Sequence, residues 1–178
     1  MISNIRTALL LATGLLVALP VLGDGPADKV TGTYGHAGCA DCPVYRKEVV
    51  AHEAIGRRPQ KGSIYIVRPD GTWNYIDLSA SNACVHVYDD GKARIGGLNS
   101  DGDGPGIGRF FGWEVEDNGE PAAWVDKTTT VRFDGNEEGR DYFLDWCATG
   151  NPTGNTAIFP HMVVDGNLQV HNHAADGD

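Results

Sequence analysis

The chain has 178 residues and a formal net charge of −10, from 14 Lys and Arg against 24 Asp and Glu. The length suits one domain, and 41% hydrophobic with 21% charged residues is a globular composition, not a disordered one. The acidic balance argues against a duplex nucleic-acid binder, which needs a basic face, and against a surface that clings to anionic lipid.

Residues 1–23 read as a secretory signal peptide. Arg6 supplies the positive start, residues 7–19 a short apolar run, Pro20 a break, and Val21 and Gly23 the small residues before a cleavage site. The apolar run is too short for a stable membrane span, and no second one follows it. Residues 24–178 then form a single exported domain, secreted to an extracellular or periplasmic setting.

Short β-like runs recur along that domain, each closed by turn residues. They fall at 30–34, 45–52, 61–68, 72–78, 83–88, 92–98, 109–115, 128–133, 142–147, 157–164 and 168–173. Pro69-Asp70-Gly71 and Asp89-Asp90-Gly91 are turn signals between paired runs. Residues 72–78 place Trp73, Tyr75 and Asp77 on one face and Asn74, Ile76 and Leu78 on the other. No window holds a 3.6-residue apolar period for three turns, so no long helix is predicted. The expectation is an all-β, loop-rich domain, an antiparallel β-sandwich or partly closed barrel of about 8–10 short strands.

Cys39, Cys42, Cys84 and Cys147 make an even count in an exported chain, which points to disulfides. Four cysteines allow three pairings; a local Cys39–Cys42 clip with a Cys84–Cys147 staple is favoured. A zinc site would show a second C-x-x-C, and a redox C-x-x-C would want a strand before it and a helix after it.

Charge is uneven. Residues 43–94 hold eight Lys/Arg and six Asp/Glu, whereas residues 95–178 hold four and fifteen. The segment Asn99-Ser100-Asp101-Gly102-Asp103-Gly104 matches the opening of a calcium loop, but position 12 is Phe110, not the bidentate Glu of an EF-hand. A looser Ca²⁺ site would draw on Asp101 and Asp103 with Asp117, Glu120 or Asp126; the plain alternative is a solvated Gly/Asp loop. Asp117-Asn118-Gly119 reads first as turn chemistry. His171 and His173 share one strand face and would chelate a metal if His86 or His161 came near, although Asn167 and Gln169 make that face a polar exterior as well. Nucleophilic catalysis finds little here: no G-x-S-x-G elbow, no P-loop and no dinucleotide fingerprint.

Four segments carry a resemblance: 61–66 (KGSIYI), 84–97 (CVHVYDDGKARIGG), 112–126 (GWEVEDNGEPAAWVD) and 165–171 (DGNLQVH). Together they resemble the post-COAP type of secreted β domain, over about residues 61–173. The resemblance implies an exported β domain and carries over no activity. This chain departs from the pattern at Ala122 and Ala123, where the family has Gly, and in a 24–60 extension that holds Cys39 and Cys42. The function expected is a non-catalytic extracellular binding or accessory module for a glycan or protein, with Ca²⁺ as its candidate cofactor. The alternative is a small secreted metal-dependent hydrolase using the Asp/Glu loops or the His171/His173 pair.

Overall fold

A computed structural model describes residues 27–39, 41–119, 126–154 and 156–172. The segment read as a signal peptide lies outside the described residues, as do Glu120, Ala122, Ala123 and His173. Among the described residues nine strands run in chain order: β1 (Lys29–Ala37), β2 (Tyr45–His52), β3 (Lys61–Val67), β4 (Trp73–Asp77), β5 (Cys84–Val87), β6 (Lys92–Gly102), β7 (Phe110–Glu116), β8 (Lys127–Phe133) and β9 (Ala157–His171). A helix, α1 (Glu137–Thr149), lies between β8 and β9.

All pairings are antiparallel, in the order β4-β3-β2-β1-β9-β8-β7-β6-β5, and β4 also pairs with β6. That last contact closes eight strands into a barrel, so the fold is a barrel and not a sandwich. Strand β6 makes closure possible by its length. Its first half pairs with β5 (Cys84↔Gly96 to Val87↔Ala93), and its second half runs on to meet β4 (Ile76↔Asn99 to Asn74↔Gly102). Both β1 and β2, within the segment read as an extension, are staves of the barrel.

Alternation fills one end of the interior. Val49 and Ala51 of β2, Ile64 of β3, Ile76 of β4, Ile95 of β6 and Val115 of β7 all point inward and are buried. Leu78 and Leu168 complete this packed end, next to the β2–β3 and β7–β8 turns. Asn74, Ile76 and Leu78 share one face, as expected from the sequence, and that face is the inner one.

Three expectations are corrected. Residues 142–147 are not a strand but the middle of α1. Asn136 caps its first turn by accepting from Gly139 N, Glu137 and Glu138 sit in that turn, and Gly150 in the left-handed conformation ends it. Only Gly139, Phe143 and Trp146 of the helix are buried, too narrow a stripe to show as an apolar period. Residues 99–102, read as the start of an open acidic loop, are the last residues of β6. The two runs at 157–164 and 168–173 are one strand, β9, with a register shift opposite Gly35/His36. Asp165 fixes that shift by accepting from Gly35 N at 3.0 Å. Gly166 follows it at φ 85°, where a Cβ would strike the Thr33 carbonyl.

Outside the barrel, α1 docks against β5, β7 and β8. Phe143 stacks on Phe110 at 5.3 Å and meets Phe133 edge-on at 5.9 Å, with Val131 and Trp146 in the same cluster. Cys84 and Cys147 pair, stapling β5 to α1, and Cys39 pairs with Cys42, the arrangement favoured from the sequence. Closing the loop of 63 residues between the first pair is worth about 4 kcal/mol on the chain-entropy account. Among the described residues no helix is long and apolar enough to cross a membrane.

Gly112 is the point where the helix touches β7, because a Cβ there would fall within the Trp146 ring. Gly112→Val is expected to destabilise the domain by roughly 1–3 kcal/mol. A denaturant melt checks this, and an unchanged midpoint would mean that Trp146 does not pack on β7.

Candidate ligand-binding cavity

The interior changes character toward the end that carries the β1–β2, β3–β4 and β6–β7 loops. A cavity of about 640 Å³ opens there. Its apolar wall includes Ile66, Phe111, Trp113 and Phe159, with Ile107 exposed at its mouth. Its polar positions come from six strands: His36 from β1, Lys47 from β2, Asn74 from β4, Asn99 from β6, Thr130 from β8 and His161 from β9.

Each is delivered by simple alternation. Lys47 lies in phase with Tyr45, Val49 and Ala51 on β2, so the pleat that buries the valine buries the lysine too. Lys47 is 2% exposed, and its Nζ lies 4.4 Å from the Trp113 ring centroid with no hydrogen-bond partner. Both ring nitrogens of His36, both side-chain polar atoms of Asn99, Asn74 Oδ1, Thr130 Oγ1 and His161 Nδ1 are likewise buried and unpartnered. Buried polar groups are normally satisfied, so such a concentration around one space is unusual.

Electrostatics reinforce the pattern. Burial holds the Lys47 ammonium well below its ordinary pKa. His36 is pushed down to about 2, by burial first and then by Lys47 and His161. His161 falls to about 4 for the same leading reason, with Lys47 adding to it. The His36 and His161 rings meet edge-on at 4.5 Å.

The rim is tied down. Arg68 donates to the Pro105 carbonyl at 2.8 Å, and its guanidinium lies 5.7 Å from the Tyr45 ring centroid. Gly108 N donates to Asn99 O at 2.8 Å, and Asn99 N donates to Arg109 O at 2.9 Å. Arg132 lies 5.8 Å from the Phe159 ring centroid.

Of the residues singled out in the sequence, Asn99 and His161 line the cavity, and the others fall elsewhere or serve the backbone. Asp103 sits at the cavity end, where its carboxylate accepts from Trp73 N at 2.7 Å, and Asp101 accepts from the next amide, Gly102 N. Asp117 and Asp126 come together at the opposite end of β6. Asp117 accepts from Gly119 N and Val170 N, and Asp126 accepts from Asn118 N. The four carboxylates thus divide between the two ends of the barrel, and Glu120 lies outside the described residues. His86 pairs with Glu53 at 3.0 Å, His171 closes β9 opposite Lys29, and His173 lies outside the described residues. Among the described residues no three His, Cys, Asp or Glu side chains are grouped to hold a metal ion. What the sequence reading missed is the set around Lys47. The available signal is a polar residue in the buried phase of an alternating strand, as at Lys47 and Asn74.

No family model matches the chain, and no curated protein or solved structure matches it.

Two predictions follow from the unpartnered interior. Lys47→Met keeps the length of the side chain and removes a costly polar end, so stability is expected to rise by roughly 1–3 kcal/mol in a denaturant melt at neutral pH. A loss of stability would mean that the amine has a partner in the fold. His36 stays neutral in the fold down to about pH 2, whereas it takes up a proton near 6.5 when unfolded. The unfolded chain then binds more protons, so stability falls as pH drops below 6.5. The contribution of this group approaches about 1.4 kcal/mol per pH unit. His36→Asn is expected to flatten that slope in urea melts between about pH 7 and 4; an unchanged slope would place a protonated His36 in the fold.

Proposed function

We propose that this domain is a non-catalytic binding module that encloses one small organic ligand in the open half of its barrel. The observation that carries the reading is the 640 Å³ cavity, with an aromatic wall and buried polar atoms that have no partner in the protein. A closed barrel of eight strands has an interior just wide enough to be filled by side chains or to hold one small ligand. Here one half is filled and the other is not. The volume falls within the range of small-molecule sites, which are mostly apolar with a few convergent polar groups.

Export fits the same reading. The two disulfides suit an oxidising compartment. Residues 1–23 have the pattern of a secretory signal, and the post-COAP-type resemblance implies an exported β domain. The ligand is then one met in an extracellular or periplasmic space.

The neutral fluorophore N-phenyl-1-naphthylamine tests the site without presuming its charge preference. It is expected to bind saturably at one per chain. In Thr130→Phe, which fills the cavity from β8, binding is expected to be at least about tenfold weaker, a change of about 1.4 kcal/mol. Circular dichroism confirms that the variant keeps its sheet. No saturable binding by the native protein, or equal binding by the variant, would overturn the assignment.

A further inference from the structure

The charge of the cavity contradicts the charge of the chain. Acidic residues outnumber basic ones by 24 to 14, yet Lys47, Arg68, Arg109 and Arg132 line the cavity, and among the described residues no Asp or Glu does. The nearest acidic residue along β9, Asp165, bonds the Arg46 guanidinium at 3.0 Å and Gly35 N. Surface lysines usually run their stem along apolar groups and keep the ammonium in water. Lys47 cannot, since it is 2% exposed.

The two unpartnered basic side chains lean one way. Lys47 Nζ and Arg68 Nε are donors only, beside the amide oxygens Asn74 Oδ1 and Asn99 Oδ1, which accept. An acceptor is what the two basic groups lack, and a negatively charged acceptor would both bond them and neutralise them. Depth sorts the surfaces. Lys47 and His36 are buried, whereas Ile107 and Phe159 are 45% and 42% exposed. Lys47 and His36 thus lie below Ile107 and Phe159, with Trp113 at their own depth.

We infer that the cavity takes an amphiphile bearing one ionised acid group, inserted head-first, with the acid group at Lys47 Nζ, His36 and His161 and the apolar body along Phe111, Trp113 and Phe159. The inference rests on the reading of the cavity as a ligand site. The titratable and charged groups that face Lys47 are Tyr34 and His36 from β1, Tyr45 from its own strand, Arg68 after β3, Arg109 before β7, Arg132 of β8 and His161 of β9. None of them is a carboxylate. An arriving anion is therefore the first negative charge at this amine, and it stabilises the protonated form. Binding takes up a proton, so affinity for an anion of fixed charge rises as pH falls. The limit is about one decade per pH unit for each proton taken up.

The test uses two fluorophores with the same ring skeleton. Anilinonaphthalene sulfonate carries a sulfonate ionised at every accessible pH, and N-phenyl-1-naphthylamine lacks it. In the native chain the sulfonate is expected to bind at least about tenfold tighter than the neutral probe. Its affinity is expected to rise from about pH 8 to 6 while that of the neutral probe stays flat. In Lys47→Met the ratio between the two probes is expected to collapse toward one. Dodecanoate should displace the sulfonate; dodecanol and inorganic phosphate should not. Equal, pH-independent binding of both probes overturns the anion preference and leaves the cavity reading standing. If neither probe binds, the cavity reading itself falls. Displacement by inorganic phosphate as strong as by dodecanoate overturns the amphiphile and leaves a simple anion site.

Discussion

The contact between β4 and the far half of β6 turns the sheet into a barrel, and the cavity exists only because of it. Three residue pairs make that closure, with a register shift between Tyr75 and Ile76. Without them β3 and β4 would form an open edge, and Asn74 and Asn99 would face water instead of each other's space. Strand β6 must therefore be long enough to serve two neighbours in turn, β5 and then β4. With eight strands the width is set, and side-chain choice alone decides whether the bore is filled. At one end Val, Ile and Leu fill it. At the other, His36, Lys47, Asn74, Asn99 and Thr130 occupy equivalent inward positions and do not.

That choice works against stability. Most of these inward polar atoms lose water without gaining a partner, and an apolar residue of similar size would be preferred at most of these positions. The rest of the molecule offsets the loss by independent means: the packed end of the bore, the aromatic cluster beneath α1, and the staple from Cys84 to Cys147. Chains fold well when local pattern and global structure agree, and disagreement concentrated at one place points to a function. Here most of the unpartnered polar atoms gather around one cavity, whose residues belong to no motif.

Much of the fold was legible in the sequence. The alternation in residues 72–78 and the turns at Asp70-Gly71 and Asp90-Gly91 are short-range signals, and the strands around them formed where the pattern placed them. Helix α1 was not legible from periodicity, because it buries only Phe143 and Trp146 with Gly139 and leaves the rest to solvent. Its ends were written plainly, by Asn136 with two glutamates after it and by Gly150. Barrel closure was invisible for a different reason. It depends on which strands meet after folding, and no local pattern encodes the pairing of Tyr75 with Asp101.

Two of the conspicuous motifs lie at the end of the barrel opposite the candidate site. Asp117-Asn118-Gly119 and the run ending at His171 stand out because contiguous residues hold one turn against one strand. The bond from Val170 N to the Asp117 carboxylate, 3.0 Å long, joins the two segments directly. Such pieces keep their spacing because they build local backbone geometry. The cavity is assembled the other way, from single residues on separate strands from position 36 to 161, each looking ordinary in its own segment. A lysine in the buried phase of β2 means little alone. It becomes a site only when closure sets it beside Trp113 and His36, with no carboxylate lining the same space.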